Sequence, residues 1–226
     1  MAHPPFVPYG PPRLPLDVSR RRADAFHAVL DGRRSVRQFS RDPVPRDLLE
    51  RLVAAASTAP SGAHMQPWTF VAISDPGLKQ RLREAAEAEE RINYEKRFPK
   101  EWLEDLAPFG TDFVKEHLTD APWVVVVFEQ RHGWAPGGGT RKHYYVTESV
   151  GIAVGMFLAA ATVAGLSTLV HTPSPMSFLS KVLARPSNES AFCVIPVGYP
   201  AEGARVPDLS RKRLDAVLVV DPPAAG

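Results

Sequence analysis

Val150-Gly151-Ile152-Ala153-Val154-Gly155-Met156-Phe157-Leu158-Ala159-Ala160-Ala161-Thr162-Val163-Ala164-Gly165-Leu166 is apolar throughout except for Thr162, and its reading decides the class of protein. As a membrane span it sits at the lower limit of length, and alanine and glycine dominate where a span favours leucine, isoleucine and phenylalanine. As a buried helix it is well suited. A helix that is apolar all round must be covered on all sides, and small residues let neighbouring backbones approach closely. In a domain of this size the cover comes from a sheet plus a second subunit.

Working outward from that helix, Pro122 to Phe128 holds four consecutive valines and reads as a fully buried strand. Further strands are expected at Thr69 to Ile73, Leu166 to Val170 and Phe192 to Gly198, with a last apolar run at Ala216 to Val220. Ser19 to Leu30 places Phe26, Val29 and Leu30 on one helical face and stops at Gly32. Pro45 opens a second helix carrying Leu48, Leu49, Leu52, Val53 and Ala56, and Asp75-Pro76 is a cap and first-turn signal for a third. Helices and strands interleave, so the class is α+β or α/β. Neither a repeat nor an interdomain linker is visible. Residues 19–226 read as one domain, preceded by a proline-rich arm over 1–18 with no apolar stretch of signal-peptide length.

Composition excludes several classes. The 27 basic and 25 acidic residues leave a net charge of +2, too little to neutralise a phosphate backbone, so neither nucleic acid nor an acidic membrane is implied. The single cysteine, Cys193, lies inside an apolar strand and rules out an intrachain disulfide, which fits a reducing cytoplasm. The seven histidines never fall at metal-ligand spacings, so no metal is expected. No G-x-G-x-x-G follows a strand, so a dinucleotide-binding unit is not indicated.

Four groups of residues carry chemistry. Arg33-Arg34-Ser35-Val36-Arg37 offers three guanidiniums and a hydroxyl in five residues. In an extended stretch Arg33, Ser35 and Arg37 share a face suited to a phosphate while Arg34 points elsewhere. Ala59-Pro60-Ser61-Gly62-Ala63-His64-Met65-Gln66-Pro67-Trp68 makes an ordered loop in which Gly62 brings backbone N–H groups close to a ligand, with Trp68 as core. Thr172-Pro173 ends a strand, and Arg211 stands alone in a polar tail. Finally, Glu90 and Tyr94, with Lys115 21 residues further on, lie in a charged segment that reads as a lid over about 84–118. An acid, a phenol and an ammonium are the groups that read a zwitterion: Glu90 for the amino group, Lys115 for the carboxylate and Tyr94 for packing. A charged helix face is ordinarily only solvated. Here the other three groups argue against that.

In family order, the set resembles the nitroreductase superfamily of flavoproteins and, within it, the iodotyrosine deiodinase branch. The R-R-S-V-R stretch, the P-S-G-A-H and P-W elements, E-x-I-N-Y-x-K-R with its distant Lys115, Lys142-His143-Tyr144-Tyr145, Thr172-Pro173, and P-V-G-Y-P followed by V-P-D-L carry it, from about Arg20 to Val220. The resemblance implies an α+β fold with a central mixed sheet flanked by helices, terminal segments exchanged in a homodimer, and two FMN sites at the subunit interface. By that resemblance Arg33, Arg34, Ser35, Val36, Arg37 and Arg211 hold FMN around its phosphate, and Ser61, Gly62, Val170, His171 and Thr172 line it. Ala63 donates its N–H to a phenolate, Glu90, Tyr94 and Lys115 clamp the substrate, and Thr172 favours one-electron steps. The implied reaction removes halide from 3-halotyrosines, with electrons from an unidentified NAD(P)H-linked reductant. Vertebrate members carry a membrane anchor that this chain lacks, and they have a second Thr where His171 stands, so a soluble member with an altered flavin environment is expected. The alternatives are a general NAD(P)H-dependent nitroreductase or quinone reductase, whose open apolar site has no need of Glu90 or Lys115, and a binding protein without turnover.

Overall fold

In the computed structural model, which describes residues 6–135 and 137–221, thirteen helices and strands follow one another. They are α1 (Leu16–Asp31), α2 (Arg46–Ala56), β1 (Trp68–Ile73), α3 (Pro76–Ile92), α4 (Lys100–Leu106), α5 (His117–Asp120), β2 (Trp123–Gln130), β3 (His132–Trp134), β4 (Thr140–Lys142), α6 (Val146–Val163), β5 (Ser167–Thr168), α7 (Ser177–Val182) and β6 (Glu189–Gly198). The expected elements are present. Helix α1 begins three residues inside the stretch read as an arm.

Valines select the centre. Strand β2 lies between β1 and β6 in a sheet of order β1-β2-β6-β5, and Val124 to Phe128 are wholly buried. Because strand side chains alternate, Val125 and Val127 pack towards α2 and α6 while Val124, Val126 and Phe128 pack towards Leu82 and Ala86 of α3 and Leu179 of α7. Strand β6 obeys the same rule, with Cys193, Ile195 and Val197 on the first side and Val194 on the second. Each fully buried side chain of this size contributes roughly 1.5–3 kcal/mol, so a layer on each face makes β2 the hardest element to dislodge. The four strands pair antiparallel, and the parallel component expected of a mixed sheet is one bridge, Ser35 to Thr168.

Helix α6 is long and apolar enough to cross a membrane by length and composition, yet Val150, Val154, Phe157 and Ala161 pack in the core beside α2. Only a third of the helix is buried within this chain, and Ile152 and Val163 face outward. Helix α1 has no buried residue, so the expected face of Phe26 and Val29 is uncovered as well. The run at Ala216 to Val220 forms no strand. After a single 3-10 turn at Leu214–Ala216, the side chains of Val217 to Val220 are exposed.

Candidate active site

Lys115 and Glu90 form an ion pair at 3.1 Å, with side chains 4% and 9% exposed. Helix α3 brings Glu90 there. Asp75 caps it by accepting the Leu78 N–H at 2.7 Å, and Leu82 and Ala86 fasten it to the sheet. Glu90 therefore stands on a core helix that occupies the first part of the segment read as a lid. Lys115 is fixed from both ends of the residue: its N–H donates to Glu87 at 2.8 Å and its ammonium to the Asp112 carbonyl. Tyr94 follows on a π-helical turn, Asn93–Arg97. Its hydroxyl donates to the Thr111 carbonyl at 3.2 Å, and its ring lies 5.7 Å from the Lys115 ammonium. Burial raises the Tyr94 phenol above its ordinary range, so it stays a neutral donor. The three residues read as a clamp converge.

The basic residues converge too. Arg33, Arg34, Ser35, Arg37 and Arg211 line one cavity with Phe109, and Val206, Pro207, Leu209 and Ser210 complete it. Arg34 does not point away as strand alternation suggests. Residues 33–37 make only a single bridge and no regular strand, and Arg34 is held in by the Pro207 carbonyl. Arg211 donates to Asp31 at 2.9 Å and to the Arg33 carbonyl at 2.8 Å. Among the described residues neither Arg33 nor Arg37 has a carboxylate partner, and burial lowers the Arg37 pKa, the mark of a desolvated cation without a counter-charge. Val36 is buried: its side chain packs with Phe39, Ala121 and Leu169, and its N–H donates to the Thr168 carbonyl.

A third group stands on other elements. The turn Gly62–His64 carries left-handed backbone at Ala63, φ 47°, and at His64, φ 55°, strain of the kind that collects at functional sites. Among the described residues no acceptor takes the Ala63 N–H. The Ser61 hydroxyl accepts from Gln66 at 2.9 Å, and the Gly62 N–H donates to Ser149 of α6 at 3.3 Å. Gly62 is small for a reason other than the one read from sequence. A Cβ there would lie 2.6 Å from the Tyr144 carbonyl, so it admits the chain's own backbone. His143, which opens that Tyr-Tyr pair, is an anchor, bonded through Nδ1 to the Gln130 carbonyl at 2.9 Å.

Val170 and Thr172 are exposed and His171 lies between them, its backbone paired with Val194 at 2.8 Å in both directions. The His171 ring meets His117 edge-on at 5.5 Å, and neither of its nitrogens has a partner among the described residues. Burial, then the neighbouring His117 and the cations Lys115 and Arg37, hold His171 well below the ordinary histidine range. His117, Asn93 and Phe109 are residues that sequence reasoning missed. Only the position of His117 two residues after Lys115 could have signalled its place.

Residues 30–199 match the model of the nitroreductase family, and the iodotyrosine deiodinase of the bacterium Haliscomenobacter hydrossis is 52% identical over 96% of this chain and 98% of its own length. The chain belongs to the nitroreductase family, in its iodotyrosine deiodinase branch. Within that branch, iodotyrosine deiodinase 1 of Rattus norvegicus is 46% identical, over 92% of this chain and 73% of its own. A crystal structure of oxidised iodotyrosine deiodinase bound to FMN and 3-iodo-L-tyrosine superposes with a TM-score of 0.74 at 28% identity, covering 88% of this chain and all of that one. A Bacteroides fragilis nitroreductase with bound FMN, 21% identical with a TM-score of 0.63, shares the family's fold.

Proposed function

We propose that this protein is an FMN-dependent enzyme that reductively removes halide from 3-halotyrosines. The buried Glu90–Lys115 pair beside Tyr94 carries the reading. A lone buried ion pair is a weak source of stability, because desolvation offsets most of the attraction. A zwitterion entering between the two residues gives each a new partner, amino group on Glu90 and carboxylate on Lys115, and leaves no charge unmatched. A reductase for neutral aromatics has no use for that arrangement.

The cofactor reading rests on the donor set. FMN ends in a phosphate dianion, and the cavity of Arg33, Arg34, Ser35, Arg37 and Arg211 supplies forked donors of the right charge, three of them, Arg33, Arg34 and Arg37, without a carboxylate partner among the described residues. When bound, FMN supplies the reducing electrons. Replacing C–X by C–H consumes two electrons and one proton and releases halide. This chain's residues hold the ring still, exclude water and set protons. Glu90, Tyr94 and Lys115 fix the amino-acid end, Ala63 donates its unpartnered N–H to the phenolate, and the exposed Thr172 hydroxyl donates towards the flavin with Val170 and His171 beside it. Ser61, Gly62 and Ala63 do not line the arginine cavity of this chain, and we assign them to the site of a second subunit. The uncovered faces of α1 and α6 and the exposed tail support such a homodimer. Electrons come from an NAD(P)H-linked reductant. A cytoplasmic setting is supported by the one thiol, Cys193, which is buried and pushed up to about 12 by desolvation.

Anaerobic titration of reduced, FMN-loaded protein tests the reading. Iodotyrosine and bromotyrosine are expected to reoxidise the flavin with one halide released per turnover, faster than a nitroaromatic does. Reoxidation by the nitroaromatic alone would establish the general nitroreductase instead.

A further inference from the structure

Asn93 stands between Glu90 and Tyr94, takes no part in the clamp, and is 2% exposed. A buried amide must have its donors and acceptor satisfied, and this one is satisfied across the fold. Its Nδ2 donates to the Ser174 carbonyl at 2.5 Å, and its Oδ1 accepts from Arg97 at 3.2 Å. Arg97 also donates to Glu89 at 3.2 Å, which holds the amide in this orientation. The backbone is equally committed: the Asn93 N–H donates to the carbonyls of Glu89 and Glu90, and its own carbonyl accepts the Phe98 N–H at 2.9 Å, closing the π-helical turn. Such turns concentrate at functional positions. Asn93 and Glu90 therefore move as one body.

Ser174 lies two residues after Thr172, with the buried Pro173 between them. Proline fixes its own φ and confines the residue before it to extended conformations, so a shift of the Ser174 carbonyl passes to Thr172 with little slack. On the other side, His171 is pinned to Val194 by two backbone bonds of 2.8 Å. Thr172 is thus strung between a fixed point on β6 and a point on the clamp helix. We propose that Asn93 is a positioning residue that couples occupancy of the Glu90–Lys115 clamp to the placement of Thr172. The inference rests on the clamp reading above.

Hydrogen exchange of the FMN-loaded enzyme, with and without iodotyrosine, separates the two ideas when read alongside turnover. In the wild type, iodotyrosine should slow exchange both in peptides covering 90–115 and in the peptide carrying Thr172, Ser174 and Met176. In Asn93→Ala it should protect 90–115 but not the Thr172 segment, with kcat down roughly 3- to 10-fold, the size of one lost hydrogen bond, and Kd for iodotyrosine within about threefold. Asn93→Asp keeps the shape and the Arg97 contact while exchanging the amide donor for a carboxylate, so it too should leave the Thr172 segment unprotected even where the alanine variant folds poorly. Persistent protection of the Thr172 segment in both variants, or a fall in affinity matching the fall in kcat, overturns the coupling. A wild type in which iodotyrosine protects neither segment overturns the clamp reading itself, and the coupling with it.

Discussion

His117 shows what a buried side chain costs when it cannot stay charged. Burial, and then Lys115, Arg37 and Arg83 against the weaker pull of Asp120, lower its pKa from 6.5 to about 4, and its Nε2 has no partner among the described residues. Between those values the unfolded chain binds a proton that the folded chain refuses. Stability is therefore complete above pH 6.5 and drains away as pH falls towards 4, by about 3 kcal/mol in all. Urea unfolding at pH 7.5 and pH 5 should show the part of that loss reached by pH 5, about 2 kcal/mol, in the wild type and a clearly smaller one in His117→Gln, and equal losses would clear His117. At this scale the sequence was informative where chemistry is local to a motif. Glu90, Tyr94 and Lys115 meet as their spacing implied, and the arginines share a cavity. It was silent on Asn93, whose partner lies 81 residues away, and misleading on Arg34, because the alternation rule presumes a strand that residues 33–37 do not form.

Helices and strands were legible because their signals are short-range. Asp75 caps α3, Pro45 precedes α2, and the valine run of β2 fills both core layers. What covers each element was not legible, since an apolar stripe reads the same whether its neighbour is the same chain or another. Helix α6 divides along that line, with Val150, Val154, Phe157 and Ala161 inside and Ile152 and Val163 outside. If the outer stripe meets a second subunit, Ile152→Glu places a charge in an apolar contact and should turn a dimer into a monomer by sedimentation equilibrium while the circular dichroism of the fold is kept. A wild type that sediments as a monomer would contradict the prediction.

Viewed as a whole, the molecule carries two groups of site residues on different elements. Arg37 lines the arginine cavity and also the one beside Thr111 and Asp112, and it interacts with Tyr94 of the clamp, while the strained Gly62–His64 turn sits against Tyr144 and Ser149. We propose that the two groups meet across a dimer around FMN and a halotyrosine, and that the zwitterion is what the clamp recognises. The most direct measurement is quenching of flavin fluorescence in the oxidised, FMN-loaded enzyme by iodotyrosine and by iodophenol, for the wild type, Lys115→Ala and Glu90→Gln. Each substitution removes one charge-assisted hydrogen bond, worth roughly 1.5–3 kcal/mol. Iodotyrosine should therefore bind about 10- to 100-fold more weakly to either variant, while iodophenol, weakly bound by the wild type, should be indifferent to both. Unchanged affinity for iodotyrosine, or equal weakening of the two ligands, would contradict the claim.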